Sequence, residues 1–318
     1  MTDPTPSPLP AFRTPDERFD ALADFLFEPR YLEWEGLRVH HVDEPAAGGD
    51  PDAPVMLLVH GEPTWSYLYR GFVGPLTAAG FRVIAPDHVG FGRSDKPVDD
   101  EWYVIERHVE RLRHLIDTLD LRRVTIVVQD WGGPIGLRQV VDQPARFERV
   151  VILNTWLHHE GLEYSDGVRW WREMATDPEK LGGDMPVGSI VAGSLGRPGH
   201  DTAALTAAYD APFDGHDSKA GARRFPFCIP FAEPTAGNAA DQQRCWDALR
   251  APGGPGGLGL PVHIAFGDSD PIFTWDWAQQ WHAELTGSTL DRIEGATHFV
   301  QEDATEDVAA AILRHAVG

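Results

Sequence analysis

The chain has 318 residues, of which 42% are hydrophobic and 24% are charged. That composition is ordinary for one large globular α/β domain with room for an insertion. The formal net charge of −22 argues against nucleic acids and anionic membrane surfaces as partners, because both would repel the chain, and it suits a neutral ligand better than an anionic one.

Cysteine content and hydropathy argue against several further classes of protein. The two cysteines, Cys228 and Cys245, are too few for a disulfide framework or a zinc set. No run of 18 apolar residues indicates a transmembrane helix. The N-terminal stretch MTDPTPSPLPAF has neither the basic nor the apolar region of a signal peptide, and its prolines predict a flexible lead-in. We therefore expect a cytoplasmic protein without a metal site.

Strands and helices alternate along the first half of the chain. Short apolar runs rich in β-branched residues predict buried strands, and apolar residues at helical spacing predict amphipathic helices. In chain order the sequence predicts strands at 37–43, 55–60, 81–86, 124–128 and 149–154, with helices at 65–79, 104–119 and about 132–141 between them. This alternation implies a mostly parallel sheet with helices on both faces, and ligands then bind at the carboxyl ends of the strands.

The alternation stops after Asn154 and resumes near Gln242. The stretch 156–234 is instead rich in tryptophan, phenylalanine, proline and glycine. Because this stretch follows the carboxyl end of a strand, we predict a helical cap domain over a site, with an ordinary helical subdomain as the alternative. The core domain would then comprise residues 1–155 and 235–318. A glycine-rich linker at 251–259 and strands at 261–267 and 289–293 belong to its second part.

A sharp turn joins the strand at 124–128 to the helix that follows. Gly132 and Gly133 let strand and helix approach closely, which would leave Asp130 exposed at the tip of the turn. In most hydrolases with this device the tip residue is a serine nucleophile. A lone aspartate here is more often a helix cap, so the catalytic interpretation needs support from elsewhere in the chain.

Two distant segments supply that support. The motif HGEP ends the strand at 55–60, and it would aim the N–H of Glu62 at an anion beside the N–H of Trp131, as in a two-donor oxyanion hole. Near the C-terminus, Asp270 and His298 each follow a predicted strand. The order Asp130, Asp270, His298 is the nucleophile, acid and base order of the α/β-hydrolases.

The same segments resemble the haloalkane dehalogenases. The similar stretches are HGEPTWSYLYR, APDHVGFGRSDKP, VVQDWGG, FGDSDPI and ATHFVQED. They extend from about Arg13 to the C-terminus, and the resemblance weakens only between about His158 and Asp210. The glutamate after His-Gly, here Glu62, resembles the pattern of one subfamily of these enzymes. The resemblance implies an α/β-hydrolase fold with a helical cap inserted after a core strand.

The implied reaction is hydrolysis of the carbon–halogen bond of a short, neutral haloalkane by water, which yields an alcohol, a halide ion and a proton without a cofactor. Asp130 would displace the halide and form an alkyl ester. His298 would activate water to hydrolyse that ester, and Asp270 would orient His298. Asp268 is an alternative to Asp270, but the family places the acid three residues after the glycine, here Gly267.

The resemblance also implies a halide site and a substrate pocket. Indole N–H groups suit a halide in a dry pocket, because each offers one donor and no acceptor. Trp131 is the first candidate. The second is Trp171 in GVRWWREM, favoured over its neighbour Trp170 by alignment with the family's pattern. Phe225 and Pro226 resemble part of the family's pocket wall.

Three other functions remain open on the sequence. An epoxide hydrolase shares the triad, but it needs cap tyrosines to protonate the epoxide oxygen, and only Tyr164 and Tyr209 are available. Gln129 before the nucleophile also departs from that family's usual histidine. A serine esterase would need its nucleophile at Ser194, in AGSLG, where no core strand precedes it. A non-catalytic binder of apolar ligands would bind without turnover, although no triad residue is missing.

Overall fold

An eight-stranded sheet forms the centre of the computed structural model, which describes residues 9–22, 24–252 and 258–317. The strands of the described residues are β1 (Ala11–Phe12), β2 (Arg30–Trp34), β3 (Leu37–Glu44), β4 (Val55–Val59), β5 (Arg82–Pro86), β6 (Lys96–Pro97), β7 (Val124–Val128), β8 (Phe147–Ile152), β9 (Val262–Gly267) and β10 (Thr289–Ile293). Strands β1 and β6 pair with each other in a separate antiparallel sheet, and the other eight form the large sheet. Most of the predicted N-terminal lead-in and of the linker at 251–259 lies outside the described residues.

The large sheet is mostly parallel, as the sequence predicts. Its strand order is β10-β9-β8-β7-β4-β5-β3-β2. All pairings from β10 to β5 are parallel, whereas β3 pairs antiparallel with both β5 and β2. Every residue of β4 and of β7 is buried, which explains why both strands read as continuous apolar runs rather than alternating ones.

The helices between and after these strands complete an α/β architecture. They are α1 (Arg70–Ala78), α2 (Ile105–Thr118), α3 (Gly132–Asp142), α4 (Asp166–Thr176), α5 (Val187–Gly193), α6 (Thr202–Asp210), α7 (Ala220–Arg224), α8 (Ala239–Arg250), α9 (Trp275–Glu284), α10 (Val300–Asp303) and α11 (Thr305–Val317). The predicted fold class is therefore confirmed. Among the described residues, no helix combines the length and the apolar character that crossing a membrane requires.

Two local features of the structure depart from the sequence prediction by more than a shift of element limits. The predicted helix at 65–79 divides into a short 3-10 helix, Ser66–Tyr69, followed by α1. Strand β2 is absent from the predicted elements because it is a half-exposed edge strand with polar residues. It is held in place by a hairpin to β3, whose two turn residues, Glu35 and Gly36, both have positive φ, as a tight hairpin turn requires.

The chain between β8 and α8 contains helices and no strand in the described residues. Helices α4 to α7 lie in this segment, and α5 packs against α6. The segment leaves the sheet at the carboxyl end of β8, beside the carboxyl end of β7 where Asp130 lies. Side chains from α4 and α5 reach the cavity described below. The predicted cap would have its helices in this position.

Candidate active site

The turn after β7 holds Asp130 in a strained backbone conformation. Its φ is +51°, a value that residues other than glycine rarely adopt. Glycine is needed two and three positions after Asp130, since a Cβ on Gly132 would lie 2.2 Å from the carbonyl oxygen of Val59 and one on Gly133 would lie 2.0 Å from Thr155 Oγ1. The turn is exposed to the cavity rather than to bulk solvent, and only 6% of Asp130 is accessible. The expectation of an openly exposed tip is therefore wrong.

The turn after β4 supplies a donor to the carboxylate of Asp130. The N–H of Glu62 donates to Asp130 Oδ1 at 2.7 Å. Gly61 allows this approach, because an added Cβ would lie 2.1 Å from the same oxygen. The second predicted donor, the N–H of Trp131, makes no hydrogen bond to this carboxylate within the part of the chain that is described.

His298 lies between two carboxylates. Its Nε2 is 3.5 Å from Asp130 Oδ2, and its Nδ1 is 3.1 Å from Asp270 Oδ2. The two oxygens of Asp130 therefore have separate surroundings, with Oδ1 on the Glu62 N–H and Oδ2 facing the imidazole. These distances bring together the three residues that the sequence predicts as nucleophile, base and orienting acid.

The alternative acid, Asp268, points away from His298. It pairs with Arg292 at 2.8 Å and accepts a hydrogen bond from the N–H of Gly295 at 2.8 Å. Asp270 is held by Asn154, whose Nδ2 donates at 2.8 Å to Asp270 Oδ2, the oxygen that also contacts His298.

Asn154 and Gln129 are contacts of the triad that the sequence analysis misses. Asn154 follows β8 and also accepts the N–H of Gly267. The amide nitrogen of Gln129 lies 3.1 Å from the carbonyl oxygen of His298 and 3.3 Å from its Nε2. Their positions in the sequence could have indicated both residues, because each follows the carboxyl end of a central strand close to Asp130.

The electrostatics of the site favour a protonated His298 in the resting state. Burial alone would lower the pKa of His298, but the carboxylates of Asp270 and Asp130 outweigh it and raise that pKa to about 10. Burial, followed by the nearby charge of Asp130, raises the pKa of Glu62 well above its ordinary value.

A cavity of about 500 Å³ opens above Asp130 and His298. Its wall is largely aromatic and aliphatic, and it includes four tryptophans: Trp131, Trp156, Trp170 and Trp171. Trp170 is 54% exposed, whereas Trp171 is half-buried. Such a site suits a small apolar molecule that meets a few polar groups at one end.

Two residues predicted for the pocket wall lie elsewhere. Phe225 and Pro226 are not among the described residues that line the cavity. The ring of Phe225 instead packs edge-on against Trp131, with centroids 5.6 Å apart, and is 1% exposed. Both residues belong to a 3-10 helix, Phe225–Cys228, and Ile229, just after this helix, reaches the cavity.

The fold and this site together define an α/β-hydrolase. The chain matches the family model described as alpha/beta hydrolase fold over residues 54–305. The match begins just before β4 and includes the two turns and all three triad residues.

More specific similarity comes from individual proteins. The chain is 38% identical to a haloalkane dehalogenase of Psychrobacter cryohalolentis over 95% of its own length and 96% of that protein. It is also 38% identical to one of Mycolicibacterium paratuberculosis over the same shares of the two chains. The solved structure of haloalkane dehalogenase DpaA from Paraglaciecola agarilytica superposes with a TM-score of 0.84 at 35% identity and covers 95% of this chain and 97% of that one. The chain belongs to the haloalkane dehalogenase family, which are hydrolases of carbon–halide bonds.

Proposed function

We propose that this chain hydrolyses small, neutral haloalkanes through an alkyl ester on Asp130. The observation that supports the proposal is that the two oxygens of this carboxylate have different contacts. Oδ1 is held by the Glu62 N–H, while Oδ2 faces His298, and Asp130 lines the cavity. A carboxylate at the tip of this turn can attack saturated carbon without losing a proton first.

In the first step, Oδ2 of Asp130 attacks the carbon that bears the halogen. A carbon–oxygen bond forms, and the carbon–halogen bond breaks with its electron pair leaving as halide. Trp131 and Trp171 line the same cavity, and their indole N–H groups are the donors we assign to the halide. The apolar wall excludes water, which strengthens both the attack and these donations.

In the second step, water attacks the carbonyl carbon of the Asp130 ester. His298 takes the proton from this water, and Asp270 holds the imidazole through Nδ1. The oxyanion that develops on Oδ1 is stabilised by the Glu62 N–H, with the N–H of Trp131 as the second donor once the carbon becomes tetrahedral. Collapse of this intermediate expels the alcohol oxygen, which takes a proton from the protonated His298, and the new carboxyl group then loses its proton to solvent, which restores the carboxylate.

Alkylation prepares His298 for its role as a base. The ester is neutral, so one of the two carboxylates that raise the pKa of His298 loses its charge. The pKa therefore falls after the first step, and the imidazole gives up its proton when water must be activated. The carboxyl group of Glu62 lines the cavity and is placed to orient that water.

The tyrosines that an epoxide hydrolase would need are engaged elsewhere. The hydroxyl of Tyr209 donates to Glu302 at 2.6 Å, and that of Tyr164 lies 3.0 Å from His158 Nδ1. Neither side chain is among the described residues that line the cavity. Ser194 ends helix α5 instead of following a strand, and its hydroxyl donates to the carbonyl oxygen of Ile190. These contacts favour the dehalogenase over both alternatives.

The His298→Phe variant tests this function directly. Alkylation needs no base, whereas hydrolysis does, so the variant mixed with 1,2-dibromoethane should release about one bromide per site and then stop. Intact-mass measurement should show an added bromoethyl group, and peptide mapping should place it on Asp130. His216→Phe, at an exposed position, is the matched control and should turn over normally. A folded His298→Phe protein without the bromide burst and the mass increase would refute the mechanism.

A further inference from the structure

A buried carboxylate joins two segments of the chain that both border the cavity. Asp303, the last residue of α10, is 5% exposed, and its two oxygens accept hydrogen bonds from both segments. Among the described residues, the one basic side chain at ion-pair distance is that of His200, whose Nε2 lies 3.2 Å from Oδ1. A buried carboxylate must be satisfied by its hydrogen-bond donors, so it holds those donors in place.

The first segment is the loop between α5 and α6. The N–H of Gly196 donates to both oxygens of Asp303 at 3.0 Å, and the N–H of Arg197 donates to Oδ1 at 3.0 Å. Ser194, at the start of this loop, lines the cavity together with Ile190 of α5. Asp303 therefore holds the backbone that follows the helix end on one side of the cavity.

The second segment carries His298, the base of the proposed reaction. The N–H of Thr297 donates to Oδ2 of Asp303 at 2.7 Å. The hydroxyl of Thr297 lies 2.7 Å from the same oxygen and 2.6 Å from the carbonyl oxygen of Ser194. Thr297 and His298 also line the cavity. One carboxylate thus connects two loops that each contribute to the wall, and we call the contact between residues 194–197 and 294–297 the loop junction.

The two loops are closely packed at this junction. A Cβ on Gly196 would lie 2.7 Å from Thr297 Cγ2 and 2.8 Å from the carbonyl oxygen of Gly295, so even alanine would push the loops apart. The guanidinium of Arg197 adds hydrogen bonds to the opposite backbone at 2.8 and 3.1 Å. That long, partly exposed side chain can follow a moving loop, whereas Asp303 joins backbone groups through a short side chain without exposed surface.

The donors at the junction keep Asp303 ionised. Burial alone would raise its pKa, but hydrogen bonds from Thr297, Gly196 and Arg197 outweigh burial and lower the pKa below its ordinary value. Each N–H can only donate, and N–H groups face both oxygens of Asp303. An asparagine side chain has one oxygen, so its amide nitrogen would meet an N–H on one of the two sides. In either orientation the link between the loops would be broken.

His298 has contacts of its own that do not involve Asp303. Its Nδ1 is 3.1 Å from Asp270, and the amide of Gln129 donates to its carbonyl oxygen at 3.1 Å. The base should therefore keep its place when the loop junction loosens, while the wall beside it opens. Asp303 is not among the described residues that line the cavity, so its effect on a substrate must pass through the two loops.

We propose that Asp303 is a positioning residue that sets the length of haloalkane the cavity accepts. By joining the loop after α5 to the loop before His298, it fixes the distance between two sides of the wall. This inference rests on the proposed function and adds to it a determinant of substrate size that lies outside the cavity.

The ratio of kcat/KM for 1-bromohexane to kcat/KM for 1,2-dibromoethane measures this selectivity. Asp303→Asn should raise the ratio about 10-fold, the change that room for one methylene group produces in an apolar pocket. Gly196→Ala separates the same loops from the other side of the junction, at an exposed position, and should raise the ratio too. The decay rate of the alkyl-enzyme formed from 1,2-dibromoethane should stay within about 2-fold in both variants, because His298 keeps its contacts.

Asp307→Asn is the matched control. Asp307 pairs with Arg197 of the same loop at 2.7 Å, but its side chain is 57% exposed. Exposed ion pairs contribute little, so this variant should leave the ratio within about 2-fold. An equal rise of the ratio in Asp307→Asn would contradict the special role of the buried carboxylate.

The remaining outcomes separate the inference from the function on which it rests. An unchanged ratio in either variant, Asp303→Asn or Gly196→Ala, once circular dichroism shows that it is folded, would overturn the role of Asp303. Slower decay of the alkyl-enzyme without a change in the ratio would overturn it as well, since Asp303 would then act on His298 and not on substrate size. Failure of His298→Phe to form the ester would instead overturn the proposed function.

Discussion

The Gly61→Ala variant should lose activity for a reason that the geometry makes quantitative. A Cβ at position 61 would lie 2.1 Å from Asp130 Oδ1, whereas ordinary contact begins at 3.4 Å, so the two turns must separate by about 1.3 Å. A displacement of about 1 Å in a reacting group is enough to cost about 100-fold in rate, which is about 2.7 kcal/mol of activation free energy. The hydrogen bond from Glu62 to the nucleophile would be lost in the same movement.

Bromide release from 1,2-dibromoethane measures this loss. Gly74→Ala is the matched control, because Gly74 lies in α1 with open space around it, and alanine there should leave activity unchanged and favour the helix. Circular dichroism and thermal melting should show that both variants fold. A folded Gly61→Ala enzyme that retains more than a tenth of the normal rate would refute the argument, since the close approach of the two turns would then not be needed for catalysis.

Two further predictions concern the halide site and the titration of the base. Trp171→Phe keeps the aromatic body but removes the indole donor, so saturable quenching of indole fluorescence by bromide should weaken and chloroalkane turnover should fall. Trp170→Phe should change little, and the reverse result would exchange the two roles. Asp130→Ala removes one of the charges that raise the pKa of His298, so that pKa should fall below about 10. An imidazole proton resonance that titrates at an unchanged pH would contradict this coupling.

Much of the architecture follows from local sequence patterns. The predicted limits of β7 and β10 coincide with the observed ones, because each is a short run bounded by turn residues. The turn at Asp130 could also be predicted from the sequence, since only glycine tolerates the close contacts at positions 132 and 133. In contrast, β2 is an edge strand whose conformation depends on pairing with β3, and its own sequence carries little signal.

Tertiary contacts determine which of two neighbouring aspartates, Asp268 or Asp270, faces His298. Asp268 and Asp270 follow the same strand, and the sequence separates them only through resemblance to a family. In the structure Arg292 holds the first, while Asn154 holds the second against His298. These partners are distant in sequence, so no local pattern could show which carboxylate faces the imidazole.

The sequence by itself therefore determined the class of fold and the family, and it predicted Asp130 as the nucleophile. The tertiary structure decided which side chains surround that nucleophile. Phe225 shows most directly what the sequence could not determine, because this predicted pocket residue instead packs edge-on against the ring of Trp131. Motifs mark the ends of elements, but the direction of a side chain there depends on packing between segments far apart in the chain.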